Sequence, residues 1–239
     1  ALERTRKEIE ETDRVQLIVK AVKSLDEVKN SQRNEIEAFR DWYSLHFPEF
    51  EREIEDDQHL IKILSGGVKK QNLDSFKQLA ENSTGMQVSG EDSDILEEFV
   101  YSLKSQQDIV EKLEEYIKDI AKEEMHNTSL LLGPILAARI VNLAGGLEDL
   151  AKKPASTVQM LGAEKALFRH LRKGGNPPKH GILFEHDFVS PLHPDQRGKM
   201  ARFIANKTVM AARIDQYGDK DKGEELKEEC RQKFEELIE

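Results

Sequence analysis

The sequence predicts an all-α protein in which a long antiparallel coiled-coil hairpin joins a small, mostly helical domain. Its composition is polar: charged residues make up 34% and aromatic residues 6% of the chain, and the mean hydropathy is -0.64. Such a composition is typical of long helices with much solvent-facing surface. Apolar residues also recur at heptad spacing in two long runs, and basic residues concentrate in the second half of the chain.

The first heptad run predicts a helix that needs a partner along one seam. It starts near Val15 and ends at Pro48, a residue that stops a helix, and it contains no other proline and no glycine. Seven of its ten seam positions are apolar or aromatic. The a positions are Val15, Val22, Lys29, Ile36 and Tyr43, and the d positions are Ile18, Leu25, Gln32, Phe39 and His46.

A second run has the same spacing and predicts the partner helix. Its a positions are Leu96, Leu103, Val110 and Ile117, and its d positions are Phe99, Gln106, Leu113 and Ile120. Ser89 and Ser93 are candidate N-caps at its start. If the two helices fold back antiparallel, setting Lys29 opposite Gln106 aligns the polar breaks of both runs and brings apolar positions together elsewhere.

The segment between the runs is expected at the tip of the hairpin. Short helical pieces are predicted around 57–64 and 72–81, and glycines at 66, 67 and 85 interrupt them. We therefore assign residues 1–123 to a coiled-coil domain with a tip insertion at about 47–90. Because the coiled-coil faces are acidic, the tip is the expected apolar surface for forming a homodimer.

Residues 124–217 predict a small helical domain, and residues 218–239 an acidic C-terminal helix. A core helix is expected from Ser129 to Ala144 with Asn127 as its cap, and another from Gly162 to Lys173. The apolar stretch at 181–184 predicts a short strand or an anchoring loop. A last core helix is expected over 195–214, with Met200, Phe203, Ile204 and Met210 facing inward and Arg197, Lys199, Arg202 and Lys207 facing solvent.

The net charge of -10 conceals an uneven distribution along the chain. Residues 1–130 contain 18 Lys and Arg against 30 Asp and Glu, whereas residues 151–213 contain 12 against 4. A basic module between acidic ones predicts a phosphate-binding surface. The alternative is an ordinary solvated surface that binds nothing.

Patterns for catalysis and for cofactors are missing from the sequence. It has no G-x-G-x-x-G and no Walker A motif, so a nucleotide-dependent enzyme is not indicated. His180, His186 and His193 share a loop with Glu185, but their spacing matches no zinc-ligand pattern, and we predict no metal site. The single cysteine, Cys230, excludes an internal disulfide, and no apolar run is long enough to span a membrane.

Several motifs resemble the Nop family, which includes the archaeal core subunit of box C/D ribonucleoproteins, its nucleolar relatives and a spliceosomal paralogue. They are PASTVQMLGAEKALFR at 154–169, PPKHG at 177–181, QRGK at 196–199, AARID at 211–215, and WYSLHFPE at 42–49. The resemblance is close over about 124–215. The GAEK signature at 162–165 and the ALFR run at 166–169 are intact, whereas the spliceosomal paralogue departs from both. With the short tail, this favours an archaeal, cytoplasmic protein.

The resemblance implies a scaffold without catalysis of its own. Its Nop domain would dock on the kink turn of a box C/D guide RNA. That kink turn would already be bound by a small kink-turn-binding homologue of ribosomal proteins. The coiled coil of the scaffold would form a dimer. Fibrillarin, which methylates ribose 2′-hydroxyls, is held in the family by a separate N-terminal domain. Because this chain begins within a charged helical pattern, we expect that domain to be missing here.

The residues expected to serve these roles fall into two groups. RNA-binding side chains are expected at Lys165, Arg169, Arg172, Lys173, Lys179, His180, Arg197, Lys199 and Arg202. Motif residues expected to dock on RNA or protein are Gly162, Ala163, Glu164, Ala166, Leu167 and Phe168, although Leu167 and Phe168 are equally compatible with the core. Two alternatives stay open: a spliceosomal Nop paralogue, or a structural coiled-coil protein that binds RNA nonspecifically.

Overall fold

The computed structural model describes the backbone of residues 2–174 and 177–238, with side chains from Arg14 onward. No strand occurs in these ranges, which confirms the all-α class. The helices are α1 (Leu2–His46), α2 (Pro48–Glu53), α3 (Asp57–Leu64), α4 (Lys77–Glu81), α5 (Gly90–Glu124), α6 (His126–Leu132), α7 (Pro134–Ala144), α8 (Leu147–Lys152), α9 (Ala155–Val158), α10 (Glu164–Lys173), α11 (Pro194–Tyr217) and α12 (Gly223–Ile238). Short 3-10 turns occur at Lys70–Asn72, Asp74–Phe76 and Gly181–Glu185.

The chain divides into two compact units. One comprises Ser24–Leu113, and the other combines the described residues of 1–23 and 114–239. We call them the tip unit and the C-terminal unit. The predicted domain limits at 123 and 217 remain a prediction. In the C-terminal unit, α12 packs against α6 and α11, so the acidic helix is part of the same compact body.

The heptad positions of α1 and α5 are buried or half-buried wherever side chains are described. In the tip unit, Gln32 Nε2 donates to the carbonyl oxygen of Leu103 and to Gln107 Oε1, both at 3.3 Å. In the C-terminal unit, Arg14 forms an ion pair with Glu123 at 2.6 Å. Both contacts join α1 and α5 in the antiparallel sense that the sequence predicts.

The predicted pairing of Lys29 with Gln106 remains a prediction, and the described contacts of Gln106 in this polar part of the seam are with other residues. Gln106 Nε2 donates to the carboxylate of Glu35 and to Ser102 Oγ. Glu35 lies six residues further along α1 than Lys29. The Glu35 carboxylate accepts from the amide nitrogen of Gln106, whereas the amide oxygen is buried and has no partner among the described residues.

An aromatic core fills the tip unit. Phe39 stacks on Tyr43 with ring centroids 5.3 Å apart, and Phe47 stacks on Phe50 at 5.6 Å. The hydroxyl of Tyr43 donates to the carbonyl oxygen of Val68 at 2.9 Å. Most apolar residues of 47–90 are buried in this core: Phe47, Phe50, Ile54, Leu60, Ile61, Leu64, Val68 and Leu73.

The core helix predicted over Ser129–Ala144 is two helices. α6 ends at Leu132 and α7 starts at Pro134, with the two axes bent by 115°. Gly133 has a φ of +78°, which other residues rarely adopt, and Pro134 has no N–H to continue α6. Among the described residues no single helix is long and apolar enough to cross a membrane; only this bent pair reaches that composition.

The cap predicted at Asn127 is also wrong, because Asn127 lies inside α6. The first turn of α6 is capped from a distance by Asp215 of α11. Its carboxylate accepts hydrogen bonds from the backbone N–H groups of Asn127 and Thr128, both at 2.8 Å, and from Asn127 Nδ2 and Thr128 Oγ1. A carboxylate at a helix N-terminus also interacts favourably with the helix dipole.

The long helix α11 is central to the C-terminal unit. Met200 and Ile204 are buried as predicted, but Met210 is 47% exposed. On α12, Leu226 and Cys230 are buried, and Phe234 stacks on Phe188 with centroids 5.1 Å apart.

Candidate nucleic-acid interface

Helix α10 is ten residues long, and none of its residues is buried. At 100° per residue, Lys165, Arg169, Arg172 and Lys173 share one side, and all four are exposed. No described carboxylate lies within ion-pair distance of them. Glu164 instead accepts a hydrogen bond from the backbone N–H of Gly162 at 2.9 Å, so its charge is held at the start of the helix.

The same helix has an apolar side next to its basic side. Phe168 is 61% exposed and Leu171 is 69% exposed, while Leu167 is half-buried. These exposures settle the ambiguity of the sequence for Phe168, which is not a core residue. An exposed phenylalanine and leucine one turn apart, flanked by cations, form a surface suited to contact with both protein and nucleic acid.

A stack of three side chains lies in the segment that follows α10. The His180 ring lies on Phe184 with centroids 5.0 Å apart, and the Arg197 guanidinium carbon is 5.1 Å from the centroid of the Phe184 ring. Partial burial lowers the pKa of His180, and nearby Arg197 and Lys179 lower it further. His180 therefore contributes a neutral ring at neutral pH.

This segment is fastened to the body of the C-terminal unit. Gln159 Nε2 donates to the carbonyl oxygens of Lys179 at 2.6 Å and Gly198 at 3.2 Å. Gly181 comes so close to the chain that a Cβ would lie 2.3 Å from the Leu161 carbonyl oxygen. Only glycine fits there, which explains the residue type in the PPKHG motif.

A groove of about 420 Å³ separates the start of α10 from this fastened segment. Its walls come from both motifs that the sequence singles out. They comprise Gly162, Ala163 and Ala166 on one side and Pro177, Pro178, Lys179, His180 and Gly181 on the other. Residues 175 and 176, between α10 and this segment, lie outside the described residues.

The three cations expected on α11 have different surroundings. Lys199 and Arg202 are exposed and have no ion-pair partner in the described ranges. Arg197 is half-buried, and its Nε donates to the carbonyl oxygen of Leu192 at 2.7 Å. Lys179 lies beside Gly198 of α11, so the loop cation and the start of α11 belong to one surface.

The remaining titratable residues of this region are structural or solvated. His186 is buried; its Nε2 lies 3.1 Å from the Leu131 carbonyl oxygen, its Nδ1 accepts from the N–H of Phe188, and burial lowers its pKa. His193 is exposed beside Asp195. The described residues hold no cluster of three metal-ligating side chains. Burial raises the pKa of Cys230 to about 12, so its thiol is unreactive at neutral pH.

The GAEK, PPKHG and QRGK motifs therefore lie together at one basic and partly apolar surface. Comparison with known proteins supports a nucleic-acid-binding family. A family model described as "Nop: snoRNA binding domain, fibrillarin" matches residues 24–236. The chain belongs to the Nop family.

Relatives and a solved structure agree with that membership. An uncharacterized NOP5 family protein of Methanocaldococcus jannaschii is 36% identical over 234 residues, covering 92% of this chain and 56% of the relative. Nucleolar protein 56 of Homo sapiens is 31% identical, covering 91% of this chain and 40% of its own length. A crystal structure of a fibrillarin/Nop5p complex matches with a TM-score of 0.61 and 27% identity, over 98% of this chain and 72% of that chain. The chain thus spans about half the length of these curated relatives.

The Nop motifs have distinct places in the structure. GAEK leads into α10, ALFR forms its first turns, PPKHG is the fastened loop, and Asp215 of AARID caps α6. Sequence reasoning missed Leu171 as a surface residue. The helical spacing of three residues from Phe168 was the available signal, but spacing alone does not tell a core stripe from an exposed one.

Proposed function

We propose that this chain is a non-catalytic scaffold of a box C/D RNA-guided ribose 2′-O-methylation complex. In this proposal the C-terminal unit docks on kink-turn RNA already bound by a small kink-turn protein. Fibrillarin supplies the methyl transfer, and this chain contributes position only. Membership of the Nop family and the likeness to a fibrillarin/Nop5p complex support this context.

The observation that carries the proposal is the two-sided surface of α10. Four cations with no carboxylate partner in the described part of the chain suit phosphate groups, which position a protein on RNA without reading its sequence. Phe168 and Leu171, exposed beside them, suit an apolar patch on a protein. Because the basic side and the apolar side of α10 are both exposed, the helix suits a surface formed jointly by RNA and protein. It suits this joint surface better than a surface of RNA alone or of protein alone.

A binding titration tests the proposal directly. The protein is titrated with kink-turn RNA alone, with the small kink-turn protein alone, and with their preformed complex. We expect tight binding only to the complex, because each separate partner engages one side of α10. Equal affinity for bare RNA and for the complex would favour a coiled-coil protein that binds RNA nonspecifically.

Two variants separate the sides of the helix. Changing Lys165, Arg169, Arg172 and Lys173 together to alanine should weaken binding to the complex at least tenfold. It should also flatten the salt dependence of binding, because fewer counterions are released when fewer phosphate contacts form. Changing Phe168 and Leu171 to alanine should weaken binding while leaving the salt slope unchanged. A matched control replaces four exposed cations elsewhere, Lys23, Lys104, Lys112 and Lys118, with alanine. Equal behaviour of the control and the α10 variant would refute the site.

We further propose that the scaffold is a homodimer formed through the tip unit. Four exposed apolar residues lie near its end: Trp42, Leu45, Met86 and Ile95. The N–H of Met86 donates to the Leu45 carbonyl oxygen at 2.9 Å, and Trp42 contacts the edge of Phe99, one turn along α5 from Ile95. We call these four residues the tip patch; only Met86 lies within the expected 47–90.

A further inference from the structure

A buried polar cluster in the tip unit fastens residues 82–88, which we call the tip loop, to the end of α1. His46 is 1% exposed and Lys70 is 2% exposed. The ammonium group of Lys70 donates to the carbonyl oxygen of Gly85 at 2.8 Å and to that of His46 at 3.3 Å. It also donates to Ser83 Oγ at 3.3 Å. Gly85 approaches α1 so closely that a Cβ there would lie 2.1 Å from the His46 carbonyl oxygen.

The His46 ring connects this cluster to the tip patch. Its Nδ1 lies 2.9 Å from the carbonyl oxygen of Met86, and its Nε2 accepts from the N–H of Lys70 at 3.2 Å. The N–H of Met86 donates to the carbonyl oxygen of Leu45 at 2.9 Å. Met86 and Leu45 both belong to the tip patch and are 60% and 59% exposed. Two of the four apolar residues of the patch are therefore placed by hydrogen bonds that include a neutral imidazole.

The surroundings of His46 offer nothing that would favour its protonated form. Tyr43 packs edge-on against the ring with centroids 5.6 Å apart, and burial raises the pKa of its phenol, which stays neutral. The charge that acts on the ring is that of Lys70. Glu49 lies further away, joined to Lys70 through Ser83. Hydrogen bonds from a backbone N–H of the tip loop and from the Ser83 hydroxyl lower the pKa of Glu49 to about 2, so it stays ionised in mild acid.

We propose that His46 is a pH-sensitive switch for self-association: a proton taken up from solvent on Nε2 releases the tip loop and weakens the dimer. The inference rests on the proposed homodimer, since it concerns the tip patch. A protonated Nε2 is a donor that faces the N–H of Lys70, and the imidazolium charge would be buried beside an ammonium group. Opening of the loop lets water hydrate both charges, but Met86 and Leu45 then lose the hydrogen bond that places them.

The direction of the pH effect follows from the pKa of His46 in the two states of the loop. In the open loop the histidine has its ordinary pKa of about 6.5. In the closed loop burial lowers the pKa, and the charge of Lys70 lowers it further. The closed loop is therefore fully favoured above about pH 6.5 and becomes less favoured as pH falls. Between pH 7.5 and pH 5.5 the open form gains up to about tenfold over a closed form that stays unprotonated. A dimer needs the closed loop in both protomers, so this gain acts twice on the dissociation constant.

Sedimentation equilibrium at pH 7.5 and pH 5.5 tests the switch, with circular dichroism at both pH values to follow the helices. The dimer dissociation constant of the parent should be at least threefold higher at pH 5.5. His46→Gln, which cannot take up a proton, should give the same constant at both pH values. The exposed His59→Gln is the matched control and should respond like the parent. Ser83→Ala removes one contact of Lys70 but leaves the imidazole, so it should weaken the dimer at pH 7.5 and keep the pH dependence.

The results distinguish the switch from the homodimer on which it rests. A parent that is monomeric at pH 7.5 overturns the proposed homodimer. A parent dimer whose dissociation constant does not change with pH, or a pH response that His46→Gln retains, overturns the switch alone. Loss of helical signal at pH 5.5 would show acid unfolding instead of loop release and would also overturn the switch. If His46→Gln does not fold, Ser83→Ala decides, because a dimer as tight as that of the parent would show that the loop contacts do not matter.

Discussion

The carboxylate of Asp215 connects α11 to the first turn of α6 through four hydrogen bonds of 2.7–2.8 Å. Asp215→Asn keeps the shape of the side chain but removes its negative charge. The NH₂ group of the new asparagine would face the backbone N–H donors of Asn127 and Thr128. We expect a loss of about 2–3 kcal/mol in the free energy of unfolding, since hydrogen bonds to charged groups are worth about that much. Urea denaturation followed by circular dichroism measures it. The exposed Asp219→Asn is the control, and an equal effect of both would contradict the role.

His46 is buried in the tip unit with both ring nitrogens engaged. Nδ1 lies 2.9 Å from the Met86 carbonyl oxygen, and Nε2 accepts from the N–H of Lys70 at 3.2 Å. Nδ1 therefore carries the proton, and a second proton on Nε2 would break the bond from Lys70. Burial lowers the pKa of His46, and the charge of Lys70 lowers it further.

This arrangement predicts that acid destabilises the tip unit. The unfolded chain has an ordinary histidine pKa of about 6.5, so below that pH it binds a proton that the folded state excludes. Stability is therefore present at neutral pH and decreases as pH falls below about 6.5. Hydrogen exchange at Lys70 and Met86 should speed up at pH 5.5 relative to pH 7.5, after correction for intrinsic rates. His46→Gln should remove this pH dependence, and the exposed His59→Gln should keep it.

At the scale of elements, the polar seam between α1 and α5 in the tip unit is a weak layer. Gln106 Oε1 is buried and has no hydrogen-bond partner among the residues that the structure describes, although Nε2 of the same side chain donates to Glu35. Gln106→Leu removes the unsatisfied atom and should raise the free energy of unfolding by about 1 kcal/mol, as replacement of imperfect buried polar groups often does. Thermal unfolding measures this change. Ser105→Leu, at an exposed neighbouring position, should change it little; a destabilised Gln106→Leu would show that the layer is required.

Elements with strong periodicity could be predicted from the sequence, whereas their junctions could not. Heptad spacing identified both long helices because burial on one side of a helix repeats in the sequence. The break at Gly133 was missed because an apolar run has the same composition whether it bends or not. The cap of α6 was missed because its partner, Asp215, lies 88 residues away from Asn127.

The candidate site was predictable to a similar degree. Clustering of Lys and Arg over 151–213 pointed to the basic surface without any structure. The sequence did not decide whether Phe168 was core or surface, since an amphipathic pattern shows that a side is apolar but not whether another element covers it. It also grouped Arg197 with the exposed cations, although packing against Phe184 leaves it half-buried.

For the whole molecule, the uneven charge has a consequence for binding kinetics. Residues 1–130 are acidic and residues 151–213 are basic, so an approaching RNA is repelled by one part of the chain and attracted by the other. We expect the association rate with the RNA complex to fall steeply as salt increases. Stopped-flow measurements at two ionic strengths test this. A rate independent of salt would show that steering plays no part.

Self-association through the tip patch can be tested without RNA. Leu45 is 59% exposed and Ile95 is 48% exposed, so replacing both with glutamate should leave the fold intact. Burying those two carboxylates in a dimer interface would be costly, because an ionised group loses its hydration without gaining a partner. The double variant should therefore sediment as a monomer at tens of micromolar, a concentration at which we expect the parent to be a dimer. Ile109→Glu is the matched control: Ile109 is 45% exposed on the same helix, α5, but lies outside the patch, so this variant should remain a dimer. A parent that is monomeric at this concentration, or a double variant that stays dimeric, would show that the tip patch does not mediate dimerisation.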